Sequence, residues 1–277
     1  MENKRVISIA KEIRKLIYIV SYHAGGGHMG AALSMADIIS VLYFGDILKY
    51  NAKNPDWKER DRFILSKGHA CYALYAALAK AGYFAEDELK NVSKAGSKFG
   101  GHPRLNDIPG VEASTGALGH GLSFAIGMAL AHKTDELNNH FYVVLGDGEC
   151  QEGSIWEAAL SAPTLGLDNL TVIVDHNKLQ AMDKLENIVK MQPFAEKWKA
   201  FGWNVIEIDG HDIRQIHDAL LVRKKDVPTA VIAHTVKGKG VSFMEGIPIW
   251  HYRMPSEEEL PILMHDLGLT KEDLGLA

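Results

Sequence analysis

Short apolar runs alternate along the chain with longer stretches in which apolar residues recur every three or four positions. The short runs are rich in β-branched and aromatic residues and end at glycine or polar residues, which predicts buried strands. The longer stretches predict amphipathic helices, the first of them around Ile9, Ile13 and Leu16. We expect strands at residues 62–65, 141–145, 170–174, 203–208 and 229–233, and further helices at 35–44, 70–81, 122–132, 154–162 and 213–223. This alternation predicts an α/β fold with a doubly wound parallel sheet.

Two glycine-rich segments interrupt the alternation of helices and strands. Residues 25–30 are predicted to form a loop after the first helix. Residues 95–119 contain glycine and proline throughout and predict a loop longer than most connections in a compact domain. Loops of that length are usually functional, so we expect this segment to contribute to a site.

Two polar side chains follow neighbouring strands of the predicted sheet. Asp147 comes directly after the apolar run 141–145, and Asn177 follows the run 170–174, thirty residues beyond Asp147. The helix at 154–162 is long enough to be the crossover of a parallel βαβ unit. Both oxygen-bearing side chains are therefore expected at the carboxyl edge of one sheet, where open α/β folds bind ligands.

The residue types at this edge favour a hard metal ion. A carboxylate and an amide oxygen, without Cys or His at ligand spacing between them, suit Mg²⁺, which keeps its remaining positions for phosphate oxygens and water. Gly146 and Gly148 flank Asp147 and would let a diphosphate approach the backbone. Either half alone is more often an ordinary turn, but the pair at this spacing predicts a site for a metal and a diphosphate.

Four separated motifs resemble one known family. Gly-Asp-Gly followed about thirty residues later by Asn is the thiamine diphosphate signature, and the longer run here resembles the transketolase version of it. The motifs are Gly27-His28-Met29-Gly30, Ser66-Lys67-Gly68-His69-Ala70, Gly101-His102-Pro103 with Thr115-Gly116-Ala117-Leu118-Gly119-His120-Gly121, and Gly146-Asp147-Gly148-Glu149-Cys150-Gln151-Glu152-Gly153. They occur in family order between about residue 10 and residue 251, which makes a chance match remote.

The resemblance implies roles for particular residues. Its catalytic histidines correspond to His28, His69, His102 and His251. Its cofactor-binding positions correspond to His69, Gly116, Ala117, Leu118, Gly146, Asp147, Gly148, Glu149, Asn177 and His251. Its metal ligands correspond to Asp147, Asn177 and Leu179. The implied cofactors are thiamine diphosphate and Mg²⁺, or another divalent cation such as Ca²⁺ or Mn²⁺.

Several other polar residues stand near these motifs without a clear role. We expect His132, His140, His217 and His265 to be solvated, and nothing in the sequence assigns a role to His176, His211 or His234. Lys237 and Lys239 form a basic pair in a glycine loop, which would suit either a phosphate contact or a soluble mobile loop. Cys150 is expected to be a buried thiol, Glu152 is expected to cap the helix that follows it, and His120 either donates to the cofactor or caps its own helix.

Composition is typical of a globular protein with a sizeable core. The chain has 277 residues, of which 47% are hydrophobic and 23% charged. A net charge of −5 gives no reason to expect nucleic acid or an anionic membrane as a partner. No apolar run approaches the length of about eighteen residues that a membrane span needs. Two distant cysteines and an N-terminal segment unlike a signal peptide favour the reducing cytoplasm.

The length of the chain shapes the function that the resemblance implies. Single-chain transketolases continue into a pyrimidine-binding domain, whose glutamate activates the cofactor, and no residue here matches that glutamate. We therefore expect residues 1–277 to form a single thiamine diphosphate- and Mg²⁺-binding domain. This domain would be the N-terminal subunit of a split transketolase, transferring a two-carbon ketol unit between sugar phosphates together with a separately encoded C-terminal subunit, in an α2β2 assembly.

Two alternatives remain open at the level of sequence. The chain resembles, less closely, the diphosphate-binding subunit of a 2-oxoacid decarboxylase or dehydrogenase and deoxyxylulose-phosphate synthase, which has a similar His-Thr-Val-Lys-Gly-Lys-Gly loop. The set of His28, His69 and His102 favours sugar substrates instead. A noncatalytic scaffold that kept the fold is the second alternative, and the presence of both Asp147 and Asn177 argues against it.

Overall fold

The computed structural model describes residues 3–276, and its centre is a five-stranded sheet. The strands are β1 (Arg62–Leu65), β2 (Phe141–Gly146), β3 (Leu170–His176), β4 (Asn204–Asp209) and β5 (Thr229–His234). Their order across the sheet is β1-β2-β3-β5-β4, and all neighbours are parallel. The predicted parallel α/β sheet is confirmed, with each strand within about two residues of its predicted bounds.

Ten α-helices connect and cover the strands in the described part of the chain. They are α1 (Asn3–Ala24), α2 (Met29–Ser34), α3 (Ala36–Phe44), α4 (Cys71–Lys80), α5 (Gly121–Thr134), α6 (Gly153–Thr164), α7 (Leu185–Ile188), α8 (Phe194–Ala200), α9 (Ile213–Leu221) and α10 (Leu260–Leu267). The short α2 begins inside the segment 25–30 that was predicted to be a loop, so that prediction is wrong for its last two residues. Between α4 and α5, the described chain forms one short 3₁₀ helix and the expected long loop.

Two hydrophobic cores lie on opposite faces of the sheet. Because successive side chains of a strand point to opposite faces, Phe63 and Leu65 belong to one core and Ile64 belongs to the other. The first core is completed by α1, α3, α4, α9 and α10, and the second by α5, α6 and α8. A sheet covered on both faces explains why its strands are continuous apolar runs, since both sides of each strand are buried.

The connection between β2 and β3 brings two strand ends together. The crossover contains α6, and the parallel register pairs Gly146 at the end of β2 with Asp175 near the end of β3. The residues that follow these strands therefore share one edge of the sheet. Within residues 3–276, none of the helices combines the length and the apolar composition that a membrane crossing requires.

Candidate active site

A cavity of about 430 Å³ opens at the carboxyl edge of β1, β2 and β3. Its walls come from segments that are far apart in sequence. They include His28, Lys67, His69, His102, Gly116, Leu118, Gly146, Asp147, Gly148, Glu149, Gln151, Glu152, Asn177, Leu179, Gln180, Lys237 and His251. All the residues to which the family resemblance gave a role line this cavity except Ala117, which is exposed.

Asp147 and Asn177 line this cavity, and hydrogen bonds to main-chain nitrogens orient their oxygens. The Asp147 carboxylate accepts hydrogen bonds from the main-chain nitrogen of Gly148 at 2.8 Å and of Lys178 at 2.6 Å, and contacts the His176 ring at 3.0 Å. The Oδ1 atom of Asn177 accepts from the nitrogen of Leu179 at 3.1 Å. Leu179 has no side-chain donor atom, so only its carbonyl oxygen is able to join these two as a metal ligand.

The chemistry of this donor set fits a hard divalent cation. In the part of the chain that the structure describes, no group of three or more His, Cys, Asp or Glu side chains is arranged to hold a metal. A metal here would rely on one carboxylate, one amide oxygen and one carbonyl oxygen, which leaves positions for phosphate oxygens and water, as Mg²⁺ requires. The donors therefore suit Mg²⁺ with a diphosphate better than a zinc ion.

Two buried amide nitrogens at the cavity wall fit an anionic ligand. The Nε2 atoms of Gln151 and Gln180 are buried and have no hydrogen-bond partner among residues 3–276. Buried donors without a protein acceptor are uncommon, and at a cavity wall they are free to bind the oxygens of a ligand. Together with the Asp147 region they form a surface suited to a metal-bound diphosphate.

Four histidines from different segments converge on the cavity. The ring centroid of His28 lies 5.1 Å from that of His69, 5.0 Å from that of His251 and 6.3 Å from that of His102. Burial, followed by nearby positive charges, lowers the pKa of His28 and of His251 to about 4 and that of His69 to about 2. These three rings are therefore neutral near pH 7, and each offers one donor and one acceptor nitrogen.

Lys237 lines the cavity, whereas Lys239 does not. The Lys237 ammonium is buried, donates to the carbonyl oxygen of Gln180 at 3.0 Å and lies 2.8 Å from Nδ1 of His251. Burial, with the nearby charge of Lys67, lowers its pKa to about 8. Lys239 instead forms a partly exposed ion pair with Glu245 at 3.3 Å. The position of Lys237 therefore suits a phosphate contact, whereas that of Lys239 does not.

A buried ion pair beneath the cavity was not predicted. Lys67 and Asp175 are almost completely buried and form an ion pair, and Asp175 also accepts hydrogen bonds from Ser34 at 2.5 Å and from Thr235. Burial alone would raise the pKa of Asp175, but the charge of Lys67 and these hydrogen bonds lower it overall. Because both charges are satisfied, the pair holds β1, β3 and the loop after β5 together at the edge of the site.

Glu149 lines the cavity, and both oxygens of its carboxylate already accept hydrogen bonds from other residues of the chain. Its carboxylate accepts from the Ser66 hydroxyl at 2.5 Å, from the Gly119 nitrogen at 3.0 Å and from the Gly146 nitrogen at 3.0 Å. Burial raises the pKa of this carboxyl. Glu149 thus connects three of the four sequence motifs, and a direct cofactor contact by its side chain stays a prediction.

Close approach of two parts of the long loop requires glycine at position 116. A Cβ atom on Gly116 would lie 3.0 Å from the His102 ring, and its φ of +151° is one that other residues rarely adopt. Gly116 therefore lets the later part of the long loop pack directly on His102, in its earlier part, and expose its main chain to the cavity. Ala117, the next residue, is exposed to solvent and does not line the cavity, so a cofactor contact there stays a prediction.

Some expectations about the remaining polar residues are wrong. His140 is half-buried, its Nε2 lies 2.8 Å from the Thr171 hydroxyl, and burial lowers its pKa well below the ordinary value, so it is not a solvated histidine. Glu152 is the N-cap residue of α6 but makes no capping hydrogen bond, and neither does His120 at the start of α5. Cys150 is buried and free, as expected.

His176 and His211 have partners that the sequence did not indicate. His176 contacts the carboxylate of Asp147, and His211 contacts the buried carboxylate of Asp37 at 2.7 Å. His211 also accepts a hydrogen bond from the Val236 nitrogen at 2.9 Å, next to Lys237. The only local signal was that each histidine lies at or just beyond the carboxyl end of a strand.

The fold and this cavity together define a thiamine diphosphate-binding domain, and the comparisons agree. Residues 6–274 match the family model described as the transketolase, thiamine diphosphate binding domain. The chain is 44% identical over 260 residues to one of the subunits of the apulose-4-phosphate transketolase of Actinobacillus succinogenes, covering 93% of this chain and 94% of that protein. It is 42% identical over 251 residues to the 6-deoxy-6-sulfo-D-fructose transketolase subunit SqwG of a Clostridium species, covering 90% and 91% respectively. The chain belongs to the transketolase family.

Solved transketolase structures share the fold of the chain. The transketolase of Leishmania mexicana superposes with a TM-score of 0.89 at 32% identity, and that of Campylobacter jejuni with a TM-score of 0.86 at 34% identity. These matches cover 97% and 95% of this chain but only 43% of each solved chain. The present chain thus corresponds to about two fifths of these solved transketolases, and thiamine diphosphate with a divalent cation is the cofactor of its family.

Proposed function

We propose that the chain is the N-terminal, diphosphate-binding subunit of a two-subunit transketolase that transfers a two-carbon ketol unit from a ketose to an aldose. The observation that carries this proposal is the convergence of four histidines with Asp147 and Asn177 around one cavity. Cofactor binding alone would need the Asp147 side of the cavity. The histidine side adds neutral donors and acceptors suited to sugar hydroxyls.

Within this proposal the residues have three roles, and some residues have two of them. Asp147, Asn177 and the carbonyl oxygen of Leu179 hold the divalent cation, Mg²⁺ or alternatively Ca²⁺ or Mn²⁺. The residues that bind the cofactor are His69, Gly116, Ala117, Leu118, Gly146, Asp147, Gly148, Glu149, Asn177 and His251. Lys237 is added to them because it lines the same cavity. His28, His69, His102 and His251 are the catalytic histidines.

The chemistry of the chain's own residues is binding and proton transfer. The chemistry that thiamine diphosphate supplies when bound is an electron sink, which lets the carbon-carbon bond beside a ketose carbonyl break. His28 is neutral near pH 7, so its unprotonated nitrogen is able to accept a proton from a substrate hydroxyl and return it. The ring of His251, with its centroid 5.0 Å away and its Nδ1 atom facing Lys237, is placed to donate a hydrogen bond. Lys237 contributes positive charge on the diphosphate side.

A second subunit with the pyrimidine-binding domain completes the enzyme in this proposal, in an α2β2 assembly. Support comes from the relatives that are named as individual transketolase subunits, which match this chain over nearly the whole length of both proteins. We also propose that residues 1–277 form one domain in the cytoplasm. The single sheet with a core on each face and the two free, buried cysteines support this, although the first two residues and the last lie outside the described range.

The names of the relatives suggest a class of substrate. One is named for apulose 4-phosphate and another for 6-deoxy-6-sulfo-D-fructose, so both names describe a ketose with an anionic group. We propose that this enzyme likewise takes a ketose with a phosphate or sulfonate group as donor and an aldose phosphate as acceptor. The chain's own histidines would contact the hydroxyls near the reacting carbons.

The test is ketol transfer with Mg²⁺ and thiamine diphosphate from a panel of phosphorylated and sulfonated ketoses. The chain is assayed alone and after co-expression with a candidate second subunit. We expect activity only in the mixture, and an Asp147→Ala chain in the same mixture is the inactive control. Full turnover by the chain alone would overturn the split-subunit proposal. Silence in both preparations, with cofactor binding intact, would indicate another class of thiamine enzyme or a noncatalytic binder.

A further inference from the structure

His176 lies directly behind the proposed metal ligand Asp147. Its Nδ1 atom is 3.0 Å from Oδ2 of Asp147, and both side chains are only 2% exposed. A carboxylate oxygen accepts hydrogen bonds, so the proton between them belongs to the ring, and His176 has its proton on Nδ1. The ring is thus a fixed hydrogen-bond donor to the carboxylate.

The hydrogen bonds of Asp147 distinguish its two oxygens. Oδ2 accepts from His176 and from the Lys178 nitrogen, which occupies both of its lone pairs. Oδ1 accepts only from the Gly148 nitrogen among the described residues and keeps one lone pair. Because His176 occupies Oδ2, Oδ1 is the oxygen that remains available to a metal.

Packing holds the His176 ring in this orientation. The ring stacks on Phe194, with centroids 5.1 Å apart and an interplanar angle of 8°, and it lies 5.3 Å from the ring of His234 on another side. Phe194 begins α8, so the ring is clamped between a strand end and a helix. Because the ring is packed on both sides, its hydrogen bond holds the Asp147 carboxylate in one orientation.

We propose that His176 is a positioning residue that orients the Asp147 carboxylate and thereby sets the affinity and selectivity of the metal site. This inference rests on the proposed function, because Asp147 must be a metal ligand for it to hold. Partners behind the ligands of metal sites commonly change metal affinity by about 10- to 100-fold when they are removed. His176 is expected to act in that range.

Three variants separate positioning from mere packing. His176→Phe keeps a ring that stacks on Phe194 and removes the donor, whereas His176→Asn places an N–H close to the position of Nδ1. In His176→Gln the amide donor lies one bond further from the main chain than in the Asn variant. This variant replaces His176→Phe in the comparison if the phenylalanine variant does not fold. His234→Phe changes the neighbouring imidazole, whose hydrogen bond is to the partly exposed Glu207, and is the matched control.

The readout is metal affinity, which requires no turnover. Mg²⁺, Ca²⁺ and Mn²⁺ are each titrated in the presence of thiamine diphosphate, with tryptophan fluorescence as the signal and the spin-resonance spectrum of Mn²⁺ as a second one. The full chain is measured alone and with the co-expressed second subunit. We expect His176→Phe and His176→Gln to bind Mg²⁺ about 10- to 100-fold more weakly, His176→Asn to recover most of the affinity, and His234→Phe to stay within about twofold.

Two results would overturn the proposal for His176. One is Mg²⁺ affinity within about twofold of the unchanged chain in both the Phe and Gln variants. The other is an equal loss in the Asn, Gln and Phe variants, which would make the residue structural only. If the unchanged chain binds no metal with the cofactor in either preparation, the metal ligands themselves are misassigned and the proposed function fails with them. A chain that binds metal normally but transfers no ketol unit would overturn only the proposed function.

Discussion

The ammonium of Lys237 lies 2.8 Å from Nδ1 of His251. Since the pKa of Lys237 is lowered to about 8 and that of His251 to about 4, the lysine is the donor near pH 7 and the ring nitrogen is the acceptor. A neutral imidazole carries one proton, so that proton is on Nε2 of His251. The contact therefore fixes the tautomer of a proposed catalytic histidine and makes its other nitrogen a donor.

Replacing Lys237 is expected to weaken cofactor binding. Lys237→Met removes a buried positive charge beside the proposed diphosphate position, and a hydrogen bond to a charged group contributes about 1.5–3 kcal/mol, or roughly tenfold or more in affinity. Titration calorimetry with thiamine diphosphate at saturating Mg²⁺ measures the loss. The same substitution should raise the pKa of His251, which NMR titration would detect, because a like charge is removed.

Lys239→Met is the matched control for this experiment. It lies two residues away in the same loop, but its ammonium is partly exposed and paired with Glu245. We expect its effect on cofactor affinity to be less than about twofold, as for most exposed ion pairs. Equal losses in the two variants would show that the loop, and not the buried charge, matters.

Replacement of the proposed metal ligand Asp147 should abolish the stabilisation that the cofactor gives. With Mg²⁺ and thiamine diphosphate at about 100 times the dissociation constant, the folded chain gains about 2.7 kcal/mol, which a chelator should reverse. Asp147→Asn is expected to lose this gain, because an amide has only one oxygen to share among its partners and the metal. Thermal unfolding with and without cofactor measures it, with exposed Asp135→Asn as the control. A normal shift in Asp147→Asn would reject the assignment.

The carboxylate that connects the sequence motifs should contribute to stability. Glu149→Gln replaces one accepting oxygen with an NH₂ group, so at least one of the donors from Ser66, Gly119 and Gly146 loses its partner. We expect a loss of about 1–3 kcal/mol in the free energy of unfolding, measured with urea. Exposed Glu152→Gln, three residues away, should change it by less than about 0.5 kcal/mol. Similar values for both variants would contradict the structural role of Glu149.

Stability is expected to fall as the pH decreases from 7 towards 4.5. His28, His69 and His251 have folded-state pKa values of about 4, 2 and 4, below the ordinary value of 6.5. Between pH 6.5 and about 4 the unfolded chain therefore binds protons on these rings that the folded chain does not, and the free energy of unfolding decreases. We expect a decrease of at least about 2 kcal/mol between pH 7 and pH 5.

Urea unfolding at several pH values tests this dependence. His28→Asn removes one of these contributors, to which His140 with its lowered pKa also belongs, and should reduce the slope. His265→Asn, on an 89% exposed side chain, should leave the slope unchanged. Glu149, whose raised pKa acts in the opposite direction, opposes the histidines over part of the window. Equal unfolding midpoints at pH 7 and pH 5 would show that the three histidines are not held neutral by the fold.

The common position of Asp147 and Asn177 was predictable from sequence because its signals are local. Asp147 and Asn177 each follow a continuous apolar run, and the helix between the runs dictates a parallel crossover, so their common edge follows from strand geometry. The segment around Gly30 was predicted less well, since glycine there was interpreted as a loop residue. In the structure Gly30 is helical, and a Cβ atom would lie 2.8 Å from the carbonyl oxygen of Trp250, so glycine serves a close contact.

Contacts between distant segments gave no signal in the sequence. Lys67 and Asp175 are 108 positions apart, and nothing near either residue indicates that the two are paired. The same holds for His211 and Asp37, separated by 174 positions. Such pairs are decided by which helices and strands pack together, so they become visible only when the fold is known.

The arrangement at the end of β3 also limits which insertions and deletions the sequence is able to accept. Asp175, His176 and Asn177 are consecutive, yet the first pairs with Lys67, the second contacts Asp147 and the third lines the cavity. Side chains of a strand alternate between its two faces. Inserting or deleting one residue before this triplet would therefore turn all three side chains to the opposite face and break all three sets of contacts. Relatives of this chain should therefore keep the number of residues between Leu170 and Asn177 unchanged.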